Sequence, residues 1–109
     1  MKFLKDDITT LQNLASAPLS YTTTYKKGFT NLEVFIKFSV AVTETITITL
    51  DSKNGANYDT VLKTKSLYDE NSFIYETSKH FFKGDQIKIQ CTNANGAGIA
   101  YVIIKAKEI

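Results

Sequence analysis

A strict alternation of apolar and polar residues between Leu32 and Leu50 constrains the fold more than any other feature of this chain. The apolar members fall on even positions: Leu32, Val34, Ile36, Phe38, Val40, Val42, Ile46, Ile48 and Leu50. Most residues between them are Thr, Lys, Glu or Ser. A period of two is typical of β-strands with one buried face. The segment therefore predicts an all-β domain, and by itself it carries no chemistry.

The alternating segment is too long to be one strand. At about 3.3 Å per residue it would span roughly 60 Å, whereas strands rarely exceed about ten residues. We therefore expect the chain to turn at Thr43-Glu44-Thr45. Residues 32–42 and 46–50 would then form a hairpin whose even positions build one side of the core.

The rest of the chain predicts further strands separated by turns. Strands are expected over residues 19–26, 58–67, 72–77, 87–92 and 99–104, with turns or loops at 51–55, 69–71, 83–85 and 93–98. Turn signals about every ten residues are typical of an antiparallel sandwich or jelly roll. We predict a jelly-roll-like antiparallel β-sandwich of about seven to eight strands. The 109 residues suffice for one such domain.

Residues 1–17 differ from the remainder. Leu4, Ile8 and Leu11 have helical spacing, and Pro18 ends the segment. A short amphipathic helix and an extended arm that docks on a neighbouring subunit both fit this pattern. We therefore predict an N-terminal arm or short helix over 1–17 and a single β-sandwich domain over 18–109.

Charge and composition argue against several kinds of partner. The net charge is +2, and all thirteen basic residues are Lys. Because Arg supplies most bidentate contacts to bases and phosphates, its absence argues against a nucleic-acid partner. No segment has the apolar core of a signal peptide or the length of a membrane-spanning helix. We expect a chain that is made in the cytoplasm and has no membrane partner.

The inventory of reactive residues predicts no enzyme and no cofactor. His80 is the single histidine, and no nucleophile motif accompanies it. Cys91 is the single cysteine, so no intrachain disulfide can form. It alternates with Ile87 and Ile89, which predicts a buried, inert thiol.

Two binding sites are weaker candidates. Oxygen ligands around a glycine turn can hold calcium, and Asp51, Asn54, Asn57 and Asp59 surround Gly55 in this way. These residue types are also ordinary turn formers, so we predict no metal site there. The six tyrosines could stack on sugars. A carbohydrate-binding module therefore stays open as an alternative function.

The last predicted strand gives the best physical indication of an interaction. Residues 99–104 read Ile-Ala-Tyr-Val-Ile-Ile, so both faces of this strand are apolar. Such a strand needs cover on both sides, from its own chain or from another subunit. The predicted interface residues are Phe3, Leu4, Ile8, Leu11, Tyr101 and Ile103.

Three segments together resemble a known class of protein. The stretch ITLDSxxGxxYDTVL ends at Leu62, GDxIxIxCxN begins at Gly84, and an apolar C-terminal strand follows. This pattern resembles small β-sandwich virion structural proteins of tailed bacteriophages, over about residues 30–105. Its motifs are turns and strands.

The resemblance implies a non-enzymatic virion protein. It would be a capsid decoration or stabilising protein, or a small neck or tail subunit, made in the bacterial cytoplasm. The implied partners are other virion proteins, namely the major capsid protein, further copies of this chain as a homo-oligomer, or both. The resemblance transfers no catalytic residue.

Overall fold

The computed structural model describes residues 8–51 and 59–109. Its strands in chain order are β1 (Ile8–Asn13), β2 (Leu19–Thr24), β3 (Phe29–Val42), β4 (Thr45–Asp51), β5 (Asp59–Ser66), β6 (Glu70–Thr77), β7 (Gln86–Cys91) and β8 (Ile99–Glu108). Nothing in these two ranges qualifies as a membrane-spanning helix. The predicted all-β class is confirmed.

The strands form two antiparallel sheets of four. The first sheet has the order β1-β8-β3-β6, and the second has the order β2-β7-β4-β5. Each strand of the first half pairs with one of the second half: β1 with β8, β2 with β7, β3 with β6 and β4 with β5. This is a long hairpin wrapped into two sheets, which is the jelly-roll arrangement. The predicted jelly-roll-like sandwich is therefore confirmed.

The hairpin predicted for residues 32–50 is wrong. The chain does break at Thr43 and Glu44, but β3 lies in the first sheet and β4 in the second. The alternation continues across the break because strands of opposed sheets turn their apolar residues to the same interior. Alternation reports which face is buried, and it does not report which strand is the partner.

The predicted domain boundary at residue 18 also needs correction. Ile8–Asn13 is neither a helix nor a separate arm, because it pairs with β8 along its whole length. Leu14 follows it and is fully buried, and its backbone N–H donates to the carbonyl of Gly98 at 2.9 Å. The described residues from 8 onward therefore belong to the sandwich, while Phe3 and Leu4 lie outside the described residues.

The core lies between the two sheets and draws on both. Its largest fully buried side chains include Phe29, Leu32 and Ile36 from β3, Ile46 and Ile48 from β4, Ile87 and Ile89 from β7, and Ile104 from β8. Even positions from Leu32 to Phe38 are buried as predicted, whereas Val40 is exposed. Asp51 and Asp59 face each other across β4 and β5. The Asn-Gly turn predicted between them lies outside the described residues.

One glycine is required for the loop before β8. Gly98 has a φ of +88°, and a Cβ atom there would stand 2.7 Å from Cγ2 of Val40. Only glycine combines this backbone conformation with this close approach. The loop is thereby held against the end of β3, which fixes where β8 begins.

Candidate interaction surface

The outward side of the first sheet carries a contiguous apolar patch. It consists of Leu11, Tyr101, Ile103, Phe35 and Ile74, one or two residues from each of the four strands. We call this set the outer apolar face. Leu11 is 60% exposed and Ile74 is 55% exposed, while Phe35 and Ile103 are half-buried. Exposed apolar patches with a polar rim are typical of interaction sites.

Strand register explains why these side chains lie together. Phe35 of β3 is opposite Ile103 of β8 on one side and opposite Ile74 of β6 on the other. These three residues form an unbroken apolar row across three strands. In the next outward row, Leu11 is opposite Tyr101. Directly opposed side chains lie about 5 Å apart, so the members of each row contact one another.

Charged residues flank the apolar row on both sides along β3. Lys37 stands two residues beyond Phe35 and opposite Tyr101. Glu33 stands two residues before Phe35, opposite Lys105 on β8 and Glu76 on β6. A shallow depression lies between the apolar row and this second flank, lined by Glu33, Phe35, Ile74, Glu76, Ile103 and Lys105.

The outward side of the second sheet is different. Apart from Val61, its register positions carry polar side chains: Ser20, Thr22, Thr24, Gln86, Lys88, Gln90, Thr45, Thr47, Thr49, Asp51, Asp59, Thr64 and Ser66. Val61 stands alone, although it is 58% exposed. The contrast between the two outer faces singles out the first sheet as the side suited to an apolar contact.

The predicted interface residues are only partly brought together. Leu11, Tyr101 and Ile103 all contribute to the outer apolar face. Ile8 lies in β1 opposite Ile104, and Phe3 and Leu4 lie outside the described residues. Among the described residues, no segment covers the outward side of β8, so intrachain cover of Tyr101 is not seen there.

Sequence reasoning missed two members of this face. Phe35 is an apolar residue on the outward side of β3, between the charged residues Glu33 and Lys37. Ile74 lies between Phe73 and Tyr75, which are the inward, half-buried residues of β6. An apolar residue on the polar side of an alternating strand is the signal that could have found both.

A buried carboxylate anchors the loop between β7 and β8. Glu44 is 3% exposed and lies where the chain crosses between sheets. Its Oε1 accepts hydrogen bonds from the Thr92 hydroxyl at 2.7 Å and the Ala94 N–H at 2.9 Å, and its Oε2 accepts from the Asn95 N–H at 3.0 Å. Glu44 therefore ties this loop to the β3–β4 crossing, a structural role that needs no ligand.

Sequence reasoning missed Glu44 as well. It occupies an even position between Val42 and Ile46, so it is the one charged residue in an apolar, inward-facing series. A charge at such a position is satisfied by hydrogen bonds when it is buried. The break in the apolar even series at Glu44 is the sequence feature that could have identified this buried carboxylate.

The other candidates that fall within the described residues do not assemble into a reactive site. His80 is exposed in the loop between β6 and β7, and Cys91 is buried in β7. Of the calcium candidates only Asp51 and Asp59 are described, whereas Asn54 and Asn57 are not. Within the described ranges no group of three or more His, Cys, Asp or Glu side chains could hold a metal ion.

The buried thiol predicts a specific pH dependence. Burial, and secondarily the charge of Glu44, raises the pKa of Cys91 from 9.0 to about 12. Between these values the unfolded chain releases a proton that the folded chain keeps, so the free energy of unfolding should fall as pH rises from about 9 to 12. Burial, followed by Tyr21, raises the pKa of Tyr25 to about 12 and adds to the loss.

Urea unfolding at several pH values tests the contribution of Cys91. The Cys91→Val variant should differ from the wild type by a constant amount up to about pH 8 and lose less stability above pH 9. Parallel stability curves for the two proteins up to pH 11 would contradict the assignment.

Comparison with known proteins gives one distant neighbour. No family model and no curated protein matches the chain. The fold is similar to a chain in the structure of infectious bursal disease virus, strain Gx, with 8% sequence identity and a TM-score of 0.44. The match covers 97% of this chain and 31% of that viral chain, so this chain spans about a third of its neighbour. At this TM-score the likeness adds no argument to the topology described above.

Proposed function

We propose that this chain is a non-enzymatic structural subunit of a bacteriophage virion, acting as a capsid decoration or stabilising protein. It would be made in the bacterial cytoplasm and would join the particle through contacts with the major capsid protein, with copies of itself, or with both. The virion setting rests on the resemblance of three segments of the sequence to such proteins. The mode of action rests on the structure.

The observation that carries the mode of action is the outer apolar face. An exposed contiguous apolar patch that is rimmed by polar residues is typical of a protein interaction site. Here the patch spans all four strands of one sheet, while the outward side of the other sheet is polar. A structural subunit needs a rigid scaffold with one side built for contact, and this arrangement supplies both.

The inventory of reactive groups supports a role without catalysis. The Cys91 thiol is buried, and its raised pKa keeps it protonated at neutral pH. His80 lies in a loop and has no nucleophile or carboxylate in hydrogen-bonding contact among the described residues. Neither group has the surroundings of a nucleophile or a general base.

The positions of the tyrosines do not favour glycan binding. Of the described tyrosines, Tyr68 and Tyr101 are exposed, whereas Tyr21, Tyr25 and Tyr75 face the core or are buried. Tyr68 lies in the turn before β6, and the row neighbours of Tyr101 are Leu11 and Lys37. Sugar-binding grooves use aromatic rings that stand side by side, so this alternative has no specific observation behind it.

The proposal is tested by quantitative mass spectrometry of particles purified from cells that express this gene. We expect the chain in intact particles at a fixed ratio to the major shell protein, with a high copy number for a decoration protein. A small fixed number would indicate a neck or tail position instead of decoration. Absence from purified particles, with the chain remaining in the soluble fraction, would refute the virion role.

A further inference from the structure

We propose that the outer apolar face binds a second copy of this chain, stacked face to face about a two-fold axis that runs across the strands. This deepens the proposed function by naming the partner of the same surface. The axis would pass along the apolar row formed by Ile103, Phe35 and Ile74. Charged residues flank that row on both sides.

The apolar row is self-complementary under this symmetry. A two-fold axis along the row lays each strand of the first sheet on its own copy, running in the opposite direction. Ile103, Phe35 and Ile74 then meet the same residues of the second copy, so apolar surface covers apolar surface. Every contact occurs twice, as in any isologous interface.

The flanking charges are complementary under the same operation. Lys37 and Glu33 stand on opposite sides of the row, two residues from Phe35 in each direction, and both are exposed. The axis exchanges the two flanks, so Lys37 of each copy lies over Glu33 of the other. An arrangement that placed Lys37 over Lys37 and Glu33 over Glu33 of the second copy would be disfavoured, because like charges repel.

The ring of Tyr101 also gains a partner. Tyr101 is on the flank of Lys37, and Lys105 is on the flank of Glu33, both in β8. The same exchange sets Lys105 of one copy over the Tyr101 ring of the other, a cation–π arrangement. The depression beside Glu33, Ile103 and Lys105 gives the incoming ring a place to lie.

The size of the surface predicts weak association. The four strands span about 14 Å at about 4.8 Å spacing, and the two flanks are about 13 Å apart along β3. This footprint is well below the roughly 800 Å² per partner of a stable complex. We expect a reversible dimer with a dissociation constant of about 0.1–1 mM in solution, strengthened where many copies are held on one particle.

A second two-fold axis provides the competing geometry. If the axis ran along the strands between β3 and β8, Glu33 would lie over Lys105 of the second copy and not over Lys37. The two arrangements bury the same apolar row. Charge reversals separate them, because each geometry is restored by a different double substitution.

Sedimentation equilibrium of the full chain at low salt tests the inference. The single variants Glu33→Lys and Lys37→Glu should each weaken dimerisation about tenfold or more, and the double variant should return to within about threefold of the wild type. The double variant Glu33→Lys with Lys105→Glu should stay weak. Thermal unfolding followed by circular dichroism checks that each variant is folded.

Three results would overturn the inference. If Lys105→Glu, and not Lys37→Glu, restored dimerisation of the Glu33→Lys variant, the two-fold axis would run along the strands. A dimer unaffected by Ile74→Asp would move the contact off this face. The third result is a wild type that stays monomeric at millimolar concentration, together with an Ile74→Asp variant that is absent from particles. The face then binds a different virion protein. This refutes binding of a second copy and leaves the proposed function standing.

Discussion

Replacing Phe29 by alanine is expected to lower the free energy of unfolding by about 3–5 kcal/mol. Phe29 begins β3 and is fully buried. Its ring stacks on Phe81 with a centroid distance of 4.8 Å and lies 4.2 Å from the ring of Tyr25. Alanine would remove these ring contacts and leave a cavity that the surrounding strands cannot fill. Urea unfolding followed by far-UV circular dichroism measures the loss.

Phe82 provides the matched control. It is the same residue type, it directly follows Phe81, and it is 70% exposed. The Phe82→Ala variant should therefore change the free energy of unfolding by less than about 0.5 kcal/mol. Equal losses for the two variants would show that the ring cluster around Phe29 does not carry the stability assigned to it.

Replacing Glu44 by alanine is expected to cost about 2–3 kcal/mol of stability. The substitution removes the acceptor of three hydrogen bonds and leaves the Thr92 hydroxyl and the Ala94 and Asn95 N–H groups without their partner. The loss of stability should be largest in the loop between β7 and β8. We therefore expect amide hydrogen exchange at Ala94 and Asn95 to speed up more than exchange in the core strands.

Two further variants define what the carboxylate contributes. Glu76 is exposed on β6, so Glu76→Ala should change stability by less than about 0.5 kcal/mol. Glu44→Gln keeps the size of the side chain and one acceptor oxygen. Its loss of stability should therefore fall between the losses for Glu76→Ala and Glu44→Ala. If Glu44→Ala left exchange at Ala94 and Asn95 unchanged, the anchoring role would be wrong.

The sequence predicted local features of this fold better than long-range ones. The inward residues of β3, β4 and β7 follow directly from alternation, because burial of one face imposes a period of two on each strand separately. Strand pairing depends on register between distant segments, such as β1 with β8. Alternation carries no information about it, which is why the hairpin of residues 32–50 and the boundary at residue 18 were both wrong.

The candidate surface was predicted in part for the same reason. The doubly apolar strand β8 identified Tyr101 and Ile103, since a local run of apolar residues marks a strand with two buried or contacted faces. Phe35 and Ile74 join them only because β3 and β6 are neighbours in the first sheet. Which exposed apolar residues form one patch is therefore a property of topology.

The central claim is that this chain joins a particle through contacts of the outer apolar face. A comparison of two aspartate variants tests this claim most directly. Ile74 and Val61 are aliphatic, similarly exposed at 55% and 58%, and lie on the edge strands of the first and second sheets. Quantitative mass spectrometry would measure the copy number of each variant in purified particles. We predict that Ile74→Asp reduces incorporation about tenfold or more while Val61→Asp stays within about twofold of the wild type. Equal incorporation of the two folded variants would contradict the account.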